Sequence, residues 1–136
     1  MACKNNRLVM KIKSGEARGF GFTIKTNTGR TDTSGNPIYQ ALNLTGYTVE
    51  FQIKKYPYYT VEPIINKEIT DLQDGSVGWI TDARNGKFTV QITLDDLSKL
   101  IPEKDYYLII TLINGDTRLI ISGEGDKSGV FRVCQS

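Results

Sequence analysis

The sequence predicts an all-β antiparallel sandwich, and three stretches carry that expectation. Tyr47 to Lys54 alternates Tyr47, Val49, Phe51 and Ile53 with Thr48, Glu50, Gln52 and Lys54. Gly86 to Thr93 alternates Phe88, Val90 and Ile92 with Lys87, Thr89, Gln91 and Thr93. A two-residue period is that of a strand with one buried and one wet face. The third stretch is a hairpin: Tyr106 to Ile113 is almost continuously apolar, Asn114-Gly115-Asp116 makes the turn, and Thr117 to Ser122 runs back.

The other elements follow in chain order. Leu8 to Ile12 is a short apolar run, and Phe20 to Ile24 sets Phe20, Phe22 and Ile24 on one face, so each reads as a strand. Gly15, Gly19 and Gly21 do not form a phosphate loop, because no helix and no Gly-Lys-Ser/Thr follows. Thr26 to Leu42 is the longest polar segment and reads as a surface loop or extended hairpin. Tyr56 to Pro63 contains Pro57 and Pro63, which exclude a central strand. Ile64 to Ile69 and Val77 to Ile80 are further short strands, with turns near Asp74-Gly75 and over Asp82 to Gly86. Leu94, Leu97 and Ile101 have helical spacing before Pro102, which limits this corner to a turn or two of helix. Gly129 to Val133 closes the chain. About eight or nine short strands separated by turn signals favour a sandwich over a closed barrel.

At 136 residues the chain reads as a single domain spanning residues 1–136, large enough to bury a core without metal or disulfide support. Its net charge of +2 and scattered lysines and arginines give no footprint for nucleic acid. Met1 to Arg7 lacks the apolar run of a signal peptide, and no segment has membrane-spanning length, so no membrane association is expected. Cys3 and Cys134 sit near opposite ends of the chain, where first and last strands of a sandwich can be neighbours; without an export signal, free thiols are the expectation. The sequence has no histidine, and two cysteines do not supply a zinc site.

The order and spacing of several motifs resemble a known family. Gly19 to Ile24 is a glycine-bounded strand with alternating phenylalanines, and Gly35-Asn-Pro-Ile38 lies in a polar loop. Leu44-Thr-Gly-Tyr-Thr-Val-Glu-Phe-Gln-Ile-Lys54 and Asn85-Gly-Lys-Phe-Thr-Val-Gln-Ile-Thr93 follow, then a corner with Leu97, Asp105-Tyr-Tyr-Leu-Ile109, and Gly129-Val-Phe-Arg-Val133. Between about Ser14 and Val133 the chain is similar to the immunoglobulin-like domain of bacteriophage baseplate upper proteins and related tail, fibre and head-decoration proteins. The resemblance implies an immunoglobulin-like antiparallel β-sandwich that acts as a non-enzymatic structural subunit of a tailed phage virion, without cofactor, assembled in the host cytoplasm. Its implied partners are other virion proteins and further copies of itself. Family members continue into adaptor or receptor-binding segments after this domain; a chain ending near its last strand suits a connector in tail, baseplate or neck, or a head decoration.

Candidate residues divide into structural and adhesive ones. Tyr106 enters the apolar strand just after the corner, where immunoglobulin-like sandwiches place a tyrosine whose hydroxyl caps the corner backbone. Ile109, Ile113 and Ile121 make the second face of the hairpin apolar too, which calls for cover by the chain's own loops or, as favoured here, by another subunit. Tyr56, Tyr58 and Tyr59 are the remaining interface candidates, since aromatics anchor protein interfaces, while Trp79 is expected in the core. The alternative function is a carbohydrate-binding sandwich in which those tyrosines stack on sugar rings. The acidic groups Asp95-Asp96, Asp71 with Asp74, and Asp116 with Glu124 and Asp126 read as caps and turns, with Asp95 or Asp96 capping the corner helix, rather than as catalytic pairs or a calcium loop.

Overall fold

Wherever the sequence alternates, one set of side chains meets across two facing sheets. The computed structural model describes residues 9–13, 17–56, 61–120 and 129–134. Eleven strands are present among them: β1 (Val9–Lys13), β2 (Arg18–Thr23), β3 (Lys25–Thr31), β4 (Pro37–Ala41), β5 (Thr48–Lys54), β6 (Ile65–Ile69), β7 (Gly78–Asp82), β8 (Lys87–Ile92), β9 (Asp105–Asn114), β10 (Thr117–Ile120) and β11 (Gly129–Cys134). One short helix, α1 (Leu94–Ser98), turns the corner between β8 and β9.

The larger sheet has the order β1-β11-β9-β5-β6, with β10 also on β9; the smaller has the order β2-β8-β7. Strand β9 is long enough for one of its edges to serve two strands. Its first half pairs with β11 from Leu108 back to Asp105, and its second half pairs with β10 from Thr111 to Asn114. All pairings are antiparallel except β1 with β11, which is parallel in the register Val9 with Val130 to Lys13 with Cys134. No hairpin constrains these two strands, being far apart in the chain, and parallel neighbours need only such a long connection. The first and last strands are thus adjacent; Cys3 lies outside the described residues. This is an all-β sandwich with the strand order of an immunoglobulin-like fold.

The core is built from the inward face of each alternation. Val49, Phe51 and Ile53 of β5 meet Phe88, Val90 and Ile92 of β8, with Leu108, Ile110 and Leu112 of β9 alongside. Phe22 of β2 ties the sheets together, stacked on Phe88 at 5.1 Å between ring centroids and tilted against Phe51 at 6.2 Å. Trp79 departs from its expected core position. Gly78 and Ile80 are buried while Trp79 is half-buried and pairs with Thr89, so the two-residue period turns the indole to the outer face of the smaller sheet. At the corner, Leu97 and Leu100 are buried, whereas Leu94 and Ile101 are exposed.

The same corner holds a buried ion pair. Lys67 takes an inward position on β6 between Ile65 and Ile69, and its ammonium reaches Asp96 Oδ2 at 2.6 Å and donates to the Ser76 carbonyl at 2.7 Å. Both side chains of the ion pair are 9% exposed. The N-cap of α1 is Thr93, not Asp95 or Asp96. Its hydroxyl accepts from the Asp96 N–H at 3.1 Å while the Asp96 carboxylate accepts from the Thr93 N–H at 2.9 Å, a reciprocal capping box. A few residues on, the Ile101 N–H donates to the Tyr106 hydroxyl at 2.8 Å, which ties the corner to the start of β9.

Removing one partner of a buried, hydrogen-bonded ion pair strands the other charge and costs about 3–5 kcal/mol. Lys67→Met and Asp96→Asn are each expected to destabilise the fold on that scale in urea unfolding. The double variant Lys67→Met/Asp96→Asn is expected to lose clearly less than the sum, with a coupling of about 1–3 kcal/mol in the double-mutant cycle.

Candidate functional site

One element stands apart from the sandwich. Strands β3 and β4 pair only with each other, as a separate two-stranded sheet, and nearly every residue from Lys25 to Gln40 is exposed. The polar segment Thr26 to Leu42 is therefore a hairpin arm, and its sequence accounts for its shape. Lys25, Thr26 and Asn27 pair with Ala41, Gln40 and Tyr39; the register then shifts before Thr31 pairs with Pro37. At the irregularity the Asn27 side chain accepts from the Gly29 N–H at 2.9 Å, and the Thr28 hydroxyl donates to the Ile38 carbonyl at 2.8 Å. Gly29 supplies the positive φ of 80° that this bulge needs.

The tip is a tight turn organised by one carboxylate. Asp32 Oδ1 accepts from the N–H groups of Ser34 and Asn36, each at 2.9 Å, and the Gly35 N–H donates to the Asp32 carbonyl at 3.1 Å. These bonds, that from the Asn36 backbone foremost, hold the Asp32 carboxyl below the ordinary carboxylate range. Asp74 is lowered in the same manner by the Ser76 hydroxyl and N–H, in the turn that precedes β7.

At its root the arm is fixed to the sandwich. The Leu42 N–H donates to the Ile24 carbonyl and the Ile24 N–H donates to the Gly86 carbonyl, both at 2.9 Å. Ile24 is buried in the core and Leu42 packs against it. Gly86 has φ of 69°, and a Cβ there would run into the Ile24 and Leu42 carbonyls, at 2.5 and 2.8 Å. Only glycine lets the β8 turn pass beneath the arm. Beyond this root, Ile38 and Tyr39 stand 40% and 58% exposed. Thr26, Thr28, Arg30, Ile38 and Gln40 line an open trough of about 620 Å³ along the arm beside Tyr39.

Next to the root lies a cleft of about 330 Å³ whose apolar lining comes from Leu44, Tyr47, Ile80 and Ala83 and whose rim includes Thr70 and Asp71. The Leu44 N–H donates to the Ala83 carbonyl at 2.7 Å and the Tyr47 N–H to the Leu44 carbonyl at 2.9 Å, which shapes the cleft wall. The arm ends at its root residue Leu42 and the cleft lining begins at Leu44, so the two adjoin at the same end of the sandwich.

The residues singled out in the sequence do not converge on this end. Tyr56 is 51% exposed, with the Lys55 ammonium 5.5 Å from its ring centroid, just beyond the end of β5 where Lys54 pairs with Tyr107. Ile113 is half-buried beside Thr48 at the other end of β5, about 20 Å along the sheet at the usual rise per residue. Ile109 requires a correction. It faces away from the smaller sheet, in register with Gln52, yet is only 4% exposed, because the chain itself covers it; it is not a surface that a single chain presents to a partner. Tyr58, Tyr59 and Ile121 lie outside the described residues. The hairpin's outer face carries an ion pair instead, Arg118 with Glu50 at 3.0 Å. Ile38 and Tyr39 went unnoticed in the sequence because they sit in a polar stretch; the visible sign was the paired Thr26-Asn-Thr28 and Ile38-Tyr-Gln40.

Three of these acidic groups are engaged in local structure, while Asp71 lines the rim of the cleft. Asp96 is in the buried ion pair, Asp95 lies 3.6 Å from Lys99, and Asp74 closes its turn, whereas Glu124 and Asp126 lie outside the described residues. Among the described residues no three His, Cys, Asp or Glu side chains are grouped to hold a metal ion, and no helix is long and apolar enough to cross a membrane. No protein-family model matches the chain, and no curated protein is significantly similar to it.

Two predictions follow from the arm. Gly86→Ala is expected to destabilise the protein by about 2 kcal/mol, through left-handed strain and collision with the root carbonyls, measured by chemical denaturation. Because the folded Asp32 carboxyl titrates below its unfolded value, its contribution to the tip is complete above the unfolded value and is lost as pH falls through the folded one. Carboxyl NMR titration is expected to find Asp32 below the ordinary range, with the Ser34 and Asn36 amide shifts moving at the same midpoint.

Proposed function

We propose that this chain is a structural subunit of a tailed bacteriophage virion, acting as a connector of tail, baseplate or neck or as a head decoration, through contacts with other virion proteins and with copies of itself. It does so without catalysis or cofactor. The observation that carries this reading is the arm: a two-stranded sheet fixed rigidly at its root, with no core of its own, that holds Ile38 and Tyr39 in solvent. An isolated hairpin is marginal in water. A partner surface that covers those side chains supplies the burial the arm lacks, and many repeated contacts in a symmetric particle add up. The all-β sandwich, and the resemblance of its motif order to that of phage baseplate and decoration domains, support the same reading.

A second reading is favoured by one feature, the trough in which Arg30 and Gln40 lie beside the exposed Tyr39 ring. An aromatic face with neighbouring hydrogen-bonding groups suits a pyranose, so a carbohydrate-binding role belongs there rather than at Tyr56. Quantitative mass spectrometry of gradient-purified particles separates the two. A fixed ratio of this protein to the major capsid protein is the expected result, high for a head decoration and low for neck or tail. Absence from particles, with glycan-array binding that Tyr39→Ala abolishes, overturns the structural reading and establishes the second.

A further inference from the structure

We propose that the arm seats in the root-side cleft of a second copy of this chain, reciprocally, so that two copies join end to end about a two-fold axis. This rests on the reading of the chain as an assembling subunit and names its first partner. Three observations converge on it. The arm offers an aromatic anchor, Tyr39, next to Ile38, and the cleft offers an apolar floor from Leu44, Tyr47, Ile80 and Ala83 within about 330 Å³. An exposed aromatic entering a desolvated pocket is the usual centre of a protein interface. Neither is satisfied within one chain: Tyr39 is 58% exposed and the cleft is open.

The charges are complementary as well. The arm carries Lys25 and Arg30, while its one acid, Asp32, is engaged by its own turn. The cleft lining carries one carboxylate, Asp71, and no cation. Arg30 of each copy therefore meets an acidic rim on the other.

Placement permits a two-fold. Because arm and cleft adjoin at the same end, a two-fold rotation can seat both arms at once, and the proposed contact is this isologous, closed one. A cleft at the far end would instead have given head-to-tail growth.

Sedimentation velocity of the full chain across a concentration series tests this. The wild-type chain is expected to dimerise, and Tyr39→Asp to weaken the dimer by roughly tenfold or more, with an unchanged circular dichroism spectrum. Arg30→Glu and Asp71→Arg are each expected to remain monomeric alone, because each places like charges across both contacts. Mixed in equal amounts they are expected to form a heterodimer, in which both contacts are again opposite in sign. That rescue also shows that both variants fold. A wild-type chain that stays monomeric, a Tyr39→Asp chain that associates as well as wild type, a mixture that stays monomeric, or growth into chains longer than a dimer each overturns the proposal. A monomeric wild type found at fixed ratio in particles leaves the virion role standing and removes this dimer alone.

Discussion

The ion pair between Lys67 and Asp96 is the constraint on which the rest of the sandwich is arranged. Strand β6 presents its inward positions to the core, and at the middle one the sequence places a lysine between Ile65 and Ile69. An ammonium cannot remain in apolar surroundings without compensation, so its position is tolerable only if a carboxylate and further acceptors are delivered to it. Asp96 and the Ser76 carbonyl do this. They come from the two segments the sheets themselves do not fix, the corner after β8 and the turn before β7. Three separate pieces of chain are therefore brought together at one nitrogen.

That junction explains why so short a helix is well formed. Five residues are too few for an isolated helix to persist in water. Here α1 is closed at its start by the capping box of Thr93 and Asp96, held from outside by Lys67, and buried through Leu97 and Leu100. The Tyr106 hydroxyl then takes the Ile101 N–H and sets the point at which β9 begins. Because β9 is bordered by β5 on one side and by β10 and β11 on the other, its starting point sets the register of much of the larger sheet.

What the sequence made legible follows the range of the interactions. Strands β5 and β8 show their two-residue period because burial of one face acts residue by residue, and the turn at Asn114 to Asp116 is set by local backbone preference. Tyr106 was legible for the same reason, its partner being only five residues away. Lys67 was not: its partner lies far along the chain, and a lysine in a strand ordinarily marks the wet face. Trp79 misled through its size, since an indole suggests a core, whereas its place is decided by Gly78 and Ile80, whose alternation takes the inward face. In the hairpin of β9 and β10, two apolar faces suggested a partner subunit, but Ile109 is covered within the chain. The polar arm concealed the exposed Ile38 and Tyr39.

The contrast between the two ends of the molecule bears on function. At the corner end the polar groups find partners within the chain, Lys67 in its carboxylate and the corner backbone in a hydroxyl, although Leu94 and Ile101 stay exposed there. At the arm end the backbone is equally well held, by Ile24, Leu42 and the tight passage over Gly86, but the side chains are not. Ile38 and Tyr39 are carried outward, 40% and 58% exposed. Rigid presentation of an apolar group lowers the conformational entropy lost when a partner covers it, so order at the root contributes to affinity at the tip. The arm's local order comes from its own turns and root bonds, and that order leaves Ile38 and Tyr39 facing solvent.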